Sequence, residues 1–262
     1  MDSLGGSEDK KQADITKVVE LLQGLSPIQI EVIEAILKRF SAGCKGSLER
    51  DDFLTKDAYE FFGMRLAAHH AFSSHMLKKE NFEHILEQSF RRTGVPTERQ
   101  NSMTVRGADL KVGNVRLSLK TEAARDLRQG AIVISKLMEA AWIKQITSAS
   151  DIPGKIQTMV LPHFSNYDRI MILRCYPESL SGLIRYDLRE IPKAVLQGVG
   201  ALQAGDFSPL TKTRTTSATV QYQGRPAFKF RLDGSDDKLT LTNLAVSLCP
   251  LHAWWSLAAP DA

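Results

Sequence analysis

The stretch that decides the fold is Ala108-Asp-Leu-Lys-Val-Gly-Asn-Val-Arg-Leu-Ser-Leu-Lys-Thr-Glu122. Apolar residues alternate on both sides of its Gly113-Asn114 pair, which favours a two-residue turn between antiparallel strands. Counting outward from that turn gives the register: Val112 with Val115, Lys111 with Arg116, Leu110 with Leu117 and Asp109 with Ser118. The stretch therefore predicts a β-hairpin of fixed register.

The alternation in this hairpin places Asp109, Ser118 and Lys120 on one face and the leucines on the other. A carboxylate, a hydroxyl and an ammonium then lie within side-chain reach of one another. Phosphodiester hydrolysis needs a carboxylate to hold Mg²⁺ and a cation to orient or help deprotonate the attacking water. Asp109 and Lys120 suit these two roles.

On these residues the chain resembles the PD-(D/E)xK nuclease superfamily, and within it the type II restriction endonucleases. Their motif is an aspartate at the start of one strand and an acid-x-lysine on the next, which here implies Asp109 and Ser118-x-Lys120. A serine stands where the motif has an acid, so one metal ligand is missing and Ser118 is expected to be a hydrogen-bonding substitute. The resemblance implies a replacement carboxylate from a nearby helix, Glu83, with Glu122 as the alternative metal ligand.

The arrangement of predicted elements indicates an α/β fold. We expect a mixed five-stranded sheet flanked by helices, restriction-endonuclease-like, with a helical N-terminal subdomain at 1–77 and an endonuclease core with C-terminal recognition strands at 78–262. Residues 1–13 are expected to be a disordered lead. The predicted helices are 13–41 (broken at Ser26-Pro27), 55–75, 78–92, 122–146 and 191–197. The predicted strands are 105–122, 156–161, 170–175, 182–188, 218–223, 227–232 and 238–246.

The C-terminal third contains a candidate DNA-binding region. Between residues 207 and 232 the chain has basic residues and no acidic one, beside a tract rich in threonine. Arginine and lysine bind phosphates or guanine, and threonine suits phosphate or a thymine methyl. The candidate DNA contacts are Lys212, Arg214, Thr215, Thr216, Arg225, Lys229 and Arg231. The alternative is an ordinary basic hairpin that faces water.

Composition limits the other possibilities. The net charge of +4 over 262 residues is compatible with nucleic acid without establishing it. Three scattered cysteines, a polar N-terminus and no long apolar run predict a cytoplasmic protein without disulfides or a membrane span. The sequence lacks the pattern of a phosphate-binding loop, so we expect no nucleotide cofactor. The histidines, including His163, are expected to be structural, and Trp254-Trp255 to close the core or a subunit contact.

The expected function is Mg²⁺-dependent, sequence-specific cleavage of double-stranded DNA, as in a type II restriction endonuclease. Such enzymes usually act as homodimers on palindromic sites, and the N-terminal helices are expected to supply the dimer contact or a DNA arm. Two alternatives stay open: a less specific repair or phage nuclease, and a DNA-binding protein without enzymatic activity, which the serine at position 118 would suit.

Overall fold

Helices dominate the first third of the chain, and strands dominate the rest. The structure is a computed structural model. It describes residues 5–99, 108–124, 127–177 and 183–258, with side chains described from residue 11 onward. The α-helices are α1 Gly5–Gln23, α2 Pro27–Ala42, α3 Lys56–His70, α4 Lys79–Arg92, α5 Asp151–Lys155, α6 Leu161–Phe164 and α7 Lys193–Gln197. The strands are β1 Lys45–Leu48, β2 Thr97–Arg99, β3 Leu110–Val112, β4 Val115–Glu122, β5 Ala131–Glu139, β6 Arg169–Pro177, β7 Leu183–Ile191, β8 Thr216–Tyr222, β9 Arg225–Asp233, β10 Lys238–Ala245 and β11 Leu251–Ala258. The shorter pieces are 3₁₀ turns at Ala141–Gln145, Gly198–Ala201, Ala204–Asp206 and Val246–Leu248, and a π-helical turn at Ile156–Val160.

The break between the first two helices lies where the sequence predicts it. Ser26 caps α2 through a reciprocal pair of hydrogen bonds with Gln29, and Pro27 occupies the first turn. The expectation of a disordered lead is wrong from Gly5 onward, where α1 already begins, and residues 1–4 lie outside the described part of the chain. Residues 105–107 of the predicted strand 105–122, and residue 182, also lie outside it.

Two sheets form the body of the protein. The larger has seven strands in the order β1-β11-β7-β6-β4-β3-β2, and the smaller has four in the order β5-β10-β9-β8. In the larger sheet β4 and β6 are parallel, whereas their neighbours pair antiparallel. The expected α/β class with a mixed sheet and an N-terminal helical region is confirmed, although the main sheet is two strands wider than the five expected.

Two predicted elements between β4 and β6 are wrong. The region 122–146, expected to be a helix, contains β5, whose Ile132 and Ile134 alternate into the core. The region 156–161, expected to be a strand, is helical from residue 151 to 164. Here the buried side chains recur every four residues, from Ile152 through Ile156 and Val160, which is helical spacing.

The described residues form two hydrophobic cores, and the larger sheet contributes to both. One core lies between the larger sheet and helices α3 and α4, and it includes the edge-to-face pair Phe62 and Phe82, with ring centroids 6.0 Å apart, and the buried Trp255. The other packs the smaller sheet and the helical segments 151–164 and 193–201 against Ile170, Ile172 and Ile191 of the larger sheet. The division of the chain at residues 77 and 78 stays a prediction. Among the described residues, no helix is long and apolar enough to span a membrane.

A cluster of charges ties the N-terminal region to the larger sheet. The Arg169 guanidinium contacts Glu190 and also donates to Asp52 at 2.9 Å, while His252 lies 3.1 Å from Glu190. Burial opposes ionisation of Glu190, but hydrogen bonds from His252 and Arg169 outweigh it and lower the pKa of Glu190 to about 2. This cluster is thus held together by a Glu190 carboxylate that stays ionised.

Candidate active site

The predicted hairpin forms as β3 and β4, and it fixes the position of Asp109. Leu110 pairs with Leu117, Lys111 with Arg116 and Val112 with Val115, so the predicted register is confirmed for these pairs. The amide of Leu119 donates to Asp109 Oδ2 at 2.6 Å, and the Ser118 hydroxyl lies 3.4 Å from the same oxygen. One side of the Asp109 carboxylate is therefore held by the neighbouring strand.

The other side of that carboxylate meets helix α4. Lys79 Nζ lies 2.7 Å from Asp109 Oδ1 and 2.7 Å from Glu83 Oε1. The side chains of Asp109 and Glu83 are 23% and 15% exposed, so the two acids are largely shielded from water, whereas Lys79 between them is partly exposed. Burial opposes the charge on Lys79, but the two acids outweigh it and raise the pKa of its ammonium. The structure thus brings together the two predicted acids around one cation.

Lys120 lies in the same pocket. Burial lowers the pKa of the Lys120 ammonium, and the nearby Lys79 adds to that effect, while Asp109 and Glu83 oppose it. The cavity measures about 360 Å³. Its lining residues are Lys79, Asp109, Ser118, Lys120, Thr121, Ile134, Ser135, Lys136, Leu137, Met138 and His163. A half-buried amine with a lowered pKa, beside two carboxylates, is suited to proton transfer or to contact with an anion.

The donor set fits a magnesium ion. No cluster of three or more acidic, histidine or cysteine residues arranged to hold a metal occurs in the described ranges. However, Mg²⁺ usually keeps several waters and takes one or two protein carboxylates together with phosphate oxygens. Asp109 and Glu83, already drawn to a single positive charge, provide such a pair.

Glu122 does not belong to this pocket. Its Oε2 accepts from Arg174 Nε at 2.6 Å, and its Oε1 accepts from the amide of Val133 at 2.8 Å. Arg174 is fully buried, so its charge requires this partner. The structure contradicts the alternative that made Glu122 a metal ligand, because both of its oxygens bind inside the protein.

The candidate DNA contacts divide into groups. Lys229 and Arg231 are exposed on β9, alternating with the buried Phe228, Phe230 and Leu232, so they share the outer face of the smaller sheet. Their cross-strand neighbours are Ser217, Thr219, Thr240 and Thr242. This face combines positive charge with hydroxyl groups.

The other candidates lie apart from that face. Lys212 is exposed in the loop before β8, whereas Arg214 donates to the carbonyl of Ile146 at 2.9 Å. Thr215 accepts from the amide of Gly234, and Arg225 is at the opposite end of the β8–β9 hairpin. Thr216 is only 2% exposed and its hydroxyl donates to a backbone carbonyl, so the prediction that it contacts DNA is wrong.

Three ionisable side chains of the pocket were not predicted from the sequence to belong to it. Lys79 is four positions before Glu83 on one helix face, a spacing that signals an ion pair but not its proximity to Asp109. His163, expected to be merely structural, lines the pocket from α6, and Lys136 does so from β5. Both come from the region between β4 and β6, where the predicted elements are wrong.

Comparison with known proteins identifies the family. The model of the SmaI family of type II site-specific deoxyribonucleases matches residues 18–257, nearly the whole chain. This chain belongs to that family. Type II restriction enzyme SmaI from Serratia marcescens is 29% identical to it over 225 residues, which cover 80% of this chain and 83% of that enzyme. A search of solved structures gave no significant match. The chain is therefore a sequence-specific restriction endonuclease, and neither alternative function is favoured.

Proposed function

We propose that this endonuclease hydrolyses both strands of DNA with Mg²⁺ held by Asp109 and Glu83, and with Lys120 as the catalytic amine. The observation that carries the proposal is the convergence of the two carboxylates on Lys79, which lines one cavity together with Asp109 and Lys120. These groups come from one hairpin and one helix that pack into the same core.

Each residue has a separate task in this proposal. Bound Mg²⁺ would polarise the scissile phosphate and stabilise the charge that develops on it. Asp109, held by the Leu119 amide, presents one fixed oxygen, and Ser118 supports it in place of a second acid. Lys120, whose pKa is lowered by burial, orients the attacking water and accepts or shares its proton.

In this proposal Lys79 acts before the metal ion binds. Without a positive charge between them, Asp109 and Glu83 would repel each other across the shielded site. The ammonium of Lys79 keeps the two carboxylates together, and it must leave when a metal ion takes its position. The pocket is thus assembled in advance of metal binding.

The outer face of the smaller sheet is the proposed DNA-reading surface. Lys229 and Arg231 provide positive charge among serine and threonine hydroxyls, which suit phosphate and base-edge contacts. The sheet reaches the active site through β5, because Ser135 and Lys136 of that strand line the catalytic cavity. DNA on this face would therefore extend into the pocket.

We further propose that the enzyme acts as a homodimer. The proposed pocket would perform one hydrolysis at a time, whereas a double-strand break requires two. A two-fold dimer places two identical pockets on the two strands of a palindromic site. A cytoplasmic location stays a prediction.

The decisive test is cleavage of phage-length DNA with Mg²⁺ by the wild type, Lys120→Ala and a matched control, Lys111→Ala. Lys111 is an exposed lysine on the other strand of the same hairpin. We expect discrete fragments from the wild type and the control, and a rate lower by about 10²- to 10⁴-fold for Lys120→Ala.

Two outcomes would contradict the proposal. Wild-type cleavage by Lys120→Ala would place the chemistry elsewhere. Full activity in a chelator, with metal-free buffers, would exclude Mg²⁺ at Asp109 and Glu83.

A further inference from the structure

The first two helices leave their apolar side chains uncovered. Of the described side chains of α1, residues 11–23, all are exposed except Leu22, which is half-buried. In α2, Ile33 and Ile36 are half-buried and the helix contacts α3 and β11, but no side chain is fully buried. Nine large apolar side chains of these helices have between 36% and 73% of their surface exposed: Ile15, Val18, Val19, Leu21, Ile28, Ile30, Val32, Leu37 and Phe40.

A surface of this kind requires a partner. An isolated helix of this length is marginal in water and is normally stabilised by packing of its apolar face. Monomers seldom leave so many apolar side chains open within two successive helices, and large exposed apolar surfaces mark interaction sites. A standard interface buries about 800 Å² on each side, with an apolar centre, and two helices that carry nine such side chains supply that centre.

The charge balance of the two helices indicates which kind of partner they bind. Residues 1–42 carry five basic and seven acidic residues, a balance that disfavours a phosphate backbone. Within α1 the described charges cancel, Lys11 and Lys17 against Asp14 and Glu20, and in α2 Glu31 and Glu34 balance Lys38 and Arg39. A neutral face with both signs can pair with a copy of itself across a two-fold axis.

We infer that α1 and α2 form the dimer interface of this enzyme, packing against the same helices of a second copy. Four helices would then bury the open side chains in a shared core, as in a helical bundle. The inference rests on the proposed homodimer and specifies which surface builds it. It also assigns the N-terminal helices to the dimer contact and not to a DNA arm.

The test is sedimentation velocity of the full chain over a micromolar concentration range, without DNA or metal. The variants are Val19→Glu in α1 and Ile30→Glu in α2, both at exposed positions where glutamate does not disfavour a helix. The matched control is Phe72→Glu, which adds the same charge at an exposed apolar position outside the two helices. Circular dichroism melts confirm that every variant is folded.

We expect a dimeric wild type and control, and a dimer dissociation constant raised by at least about ten-fold in each variant, because a carboxylate would be buried among apolar groups. A monomeric wild type, or variants that dimerise as tightly as the wild type, would overturn the inference. The proposed chemistry is scored separately by DNA cleavage. A dimer that depends on these helices but cuts no DNA would refute the proposed function alone.

Discussion

Replacing Glu122 with glutamine tests whether this acid stabilises the fold or binds the metal ion. In the structure this carboxylate neutralises Arg174, whose guanidinium is fully buried and also donates to the carbonyls of Arg128 and Ala131, each at 2.7 Å. Glutamine keeps the shape and an acceptor oxygen but removes the negative charge. Arg174 would then be a buried cation without a counter-ion.

The expected cost follows from that burial. Removing one member of a buried ion pair destabilises a protein by about 3–5 kcal/mol. The glutamine oxygen can still accept from Arg174, but the amide nitrogen would then face the Val133 amide, donor against donor, so we expect a cost of at least about 3 kcal/mol. For a chain of this size that free energy corresponds to a fall in Tm of roughly 6–12 °C.

The assay combines thermal unfolding with DNA cleavage well below the lowered Tm, and it uses Asp109→Asn as the matched control. We expect Glu122→Gln to lose stability while cleaving within a few-fold of the wild type. Asp109→Asn should behave in the opposite way, with cleavage abolished and stability little changed. If Glu122→Gln abolished cleavage without lowering the Tm, Glu122 would be a metal ligand and our description of the pocket would be wrong.

Three further changes test other parts of the molecule. Lys79→Met removes the ammonium that competes with a metal ion for the two acids. Because the lysine is partly exposed, we expect Ca²⁺ to bind only a few-fold to about ten-fold tighter, measured by calorimetry. Weaker binding would contradict the displacement of Lys79 by the metal ion. The pKa of Glu190 is lowered to about 2, so its contribution to stability is present above its ordinary value of 4.5 and is lost as the pH falls from there towards 2. Glu190→Gln should therefore cost about 2–3 kcal/mol at pH 7 and flatten the acid limb of a urea-unfolding series; an unchanged acid limb would refute this. Lys229→Ala combined with Arg231→Ala should reduce the salt dependence of DNA binding by about one to two phosphate contacts, and an unchanged slope would remove this face from the interface.

The sequence predicted the β3–β4 hairpin because the information for it is local. A Gly-Asn turn and strict alternation determine the register, and the register determines which side chains share a face with Asp109. Glu83 required the family resemblance, since nothing in α4 alone indicates what the helix packs against. The position of Lys79 between two acids depends on tertiary packing and had no local signal beyond the spacing to Glu83.

The region between β4 and β6 shows where local patterns fail. β5 begins with alternating Ile132 and Ile134, but Leu137 and Met138 are both buried, and the pairing with β10 shifts register between Leu239 and Leu241. These irregularities hide the period of two. The run 156–161 is short, apolar and partly β-branched, which suits a strand as well as a buried helix, and only the wider spacing from Ile152 onward distinguishes them.

The buried Arg174 also links the larger sheet to the smaller sheet at a fixed distance. It joins Glu122, the last residue of β4, to the carbonyl of Ala131, the first residue of β5 in the smaller sheet. Since one rigid guanidinium spans the two, the distance from Lys120 to the proposed DNA-reading face has little freedom to vary. If Lys120 and the outer face of the smaller sheet act as proposed, the enzyme should cut at one fixed distance from the bases it recognises, and weakening the Arg174 contacts should make the cut position variable before cleavage is lost.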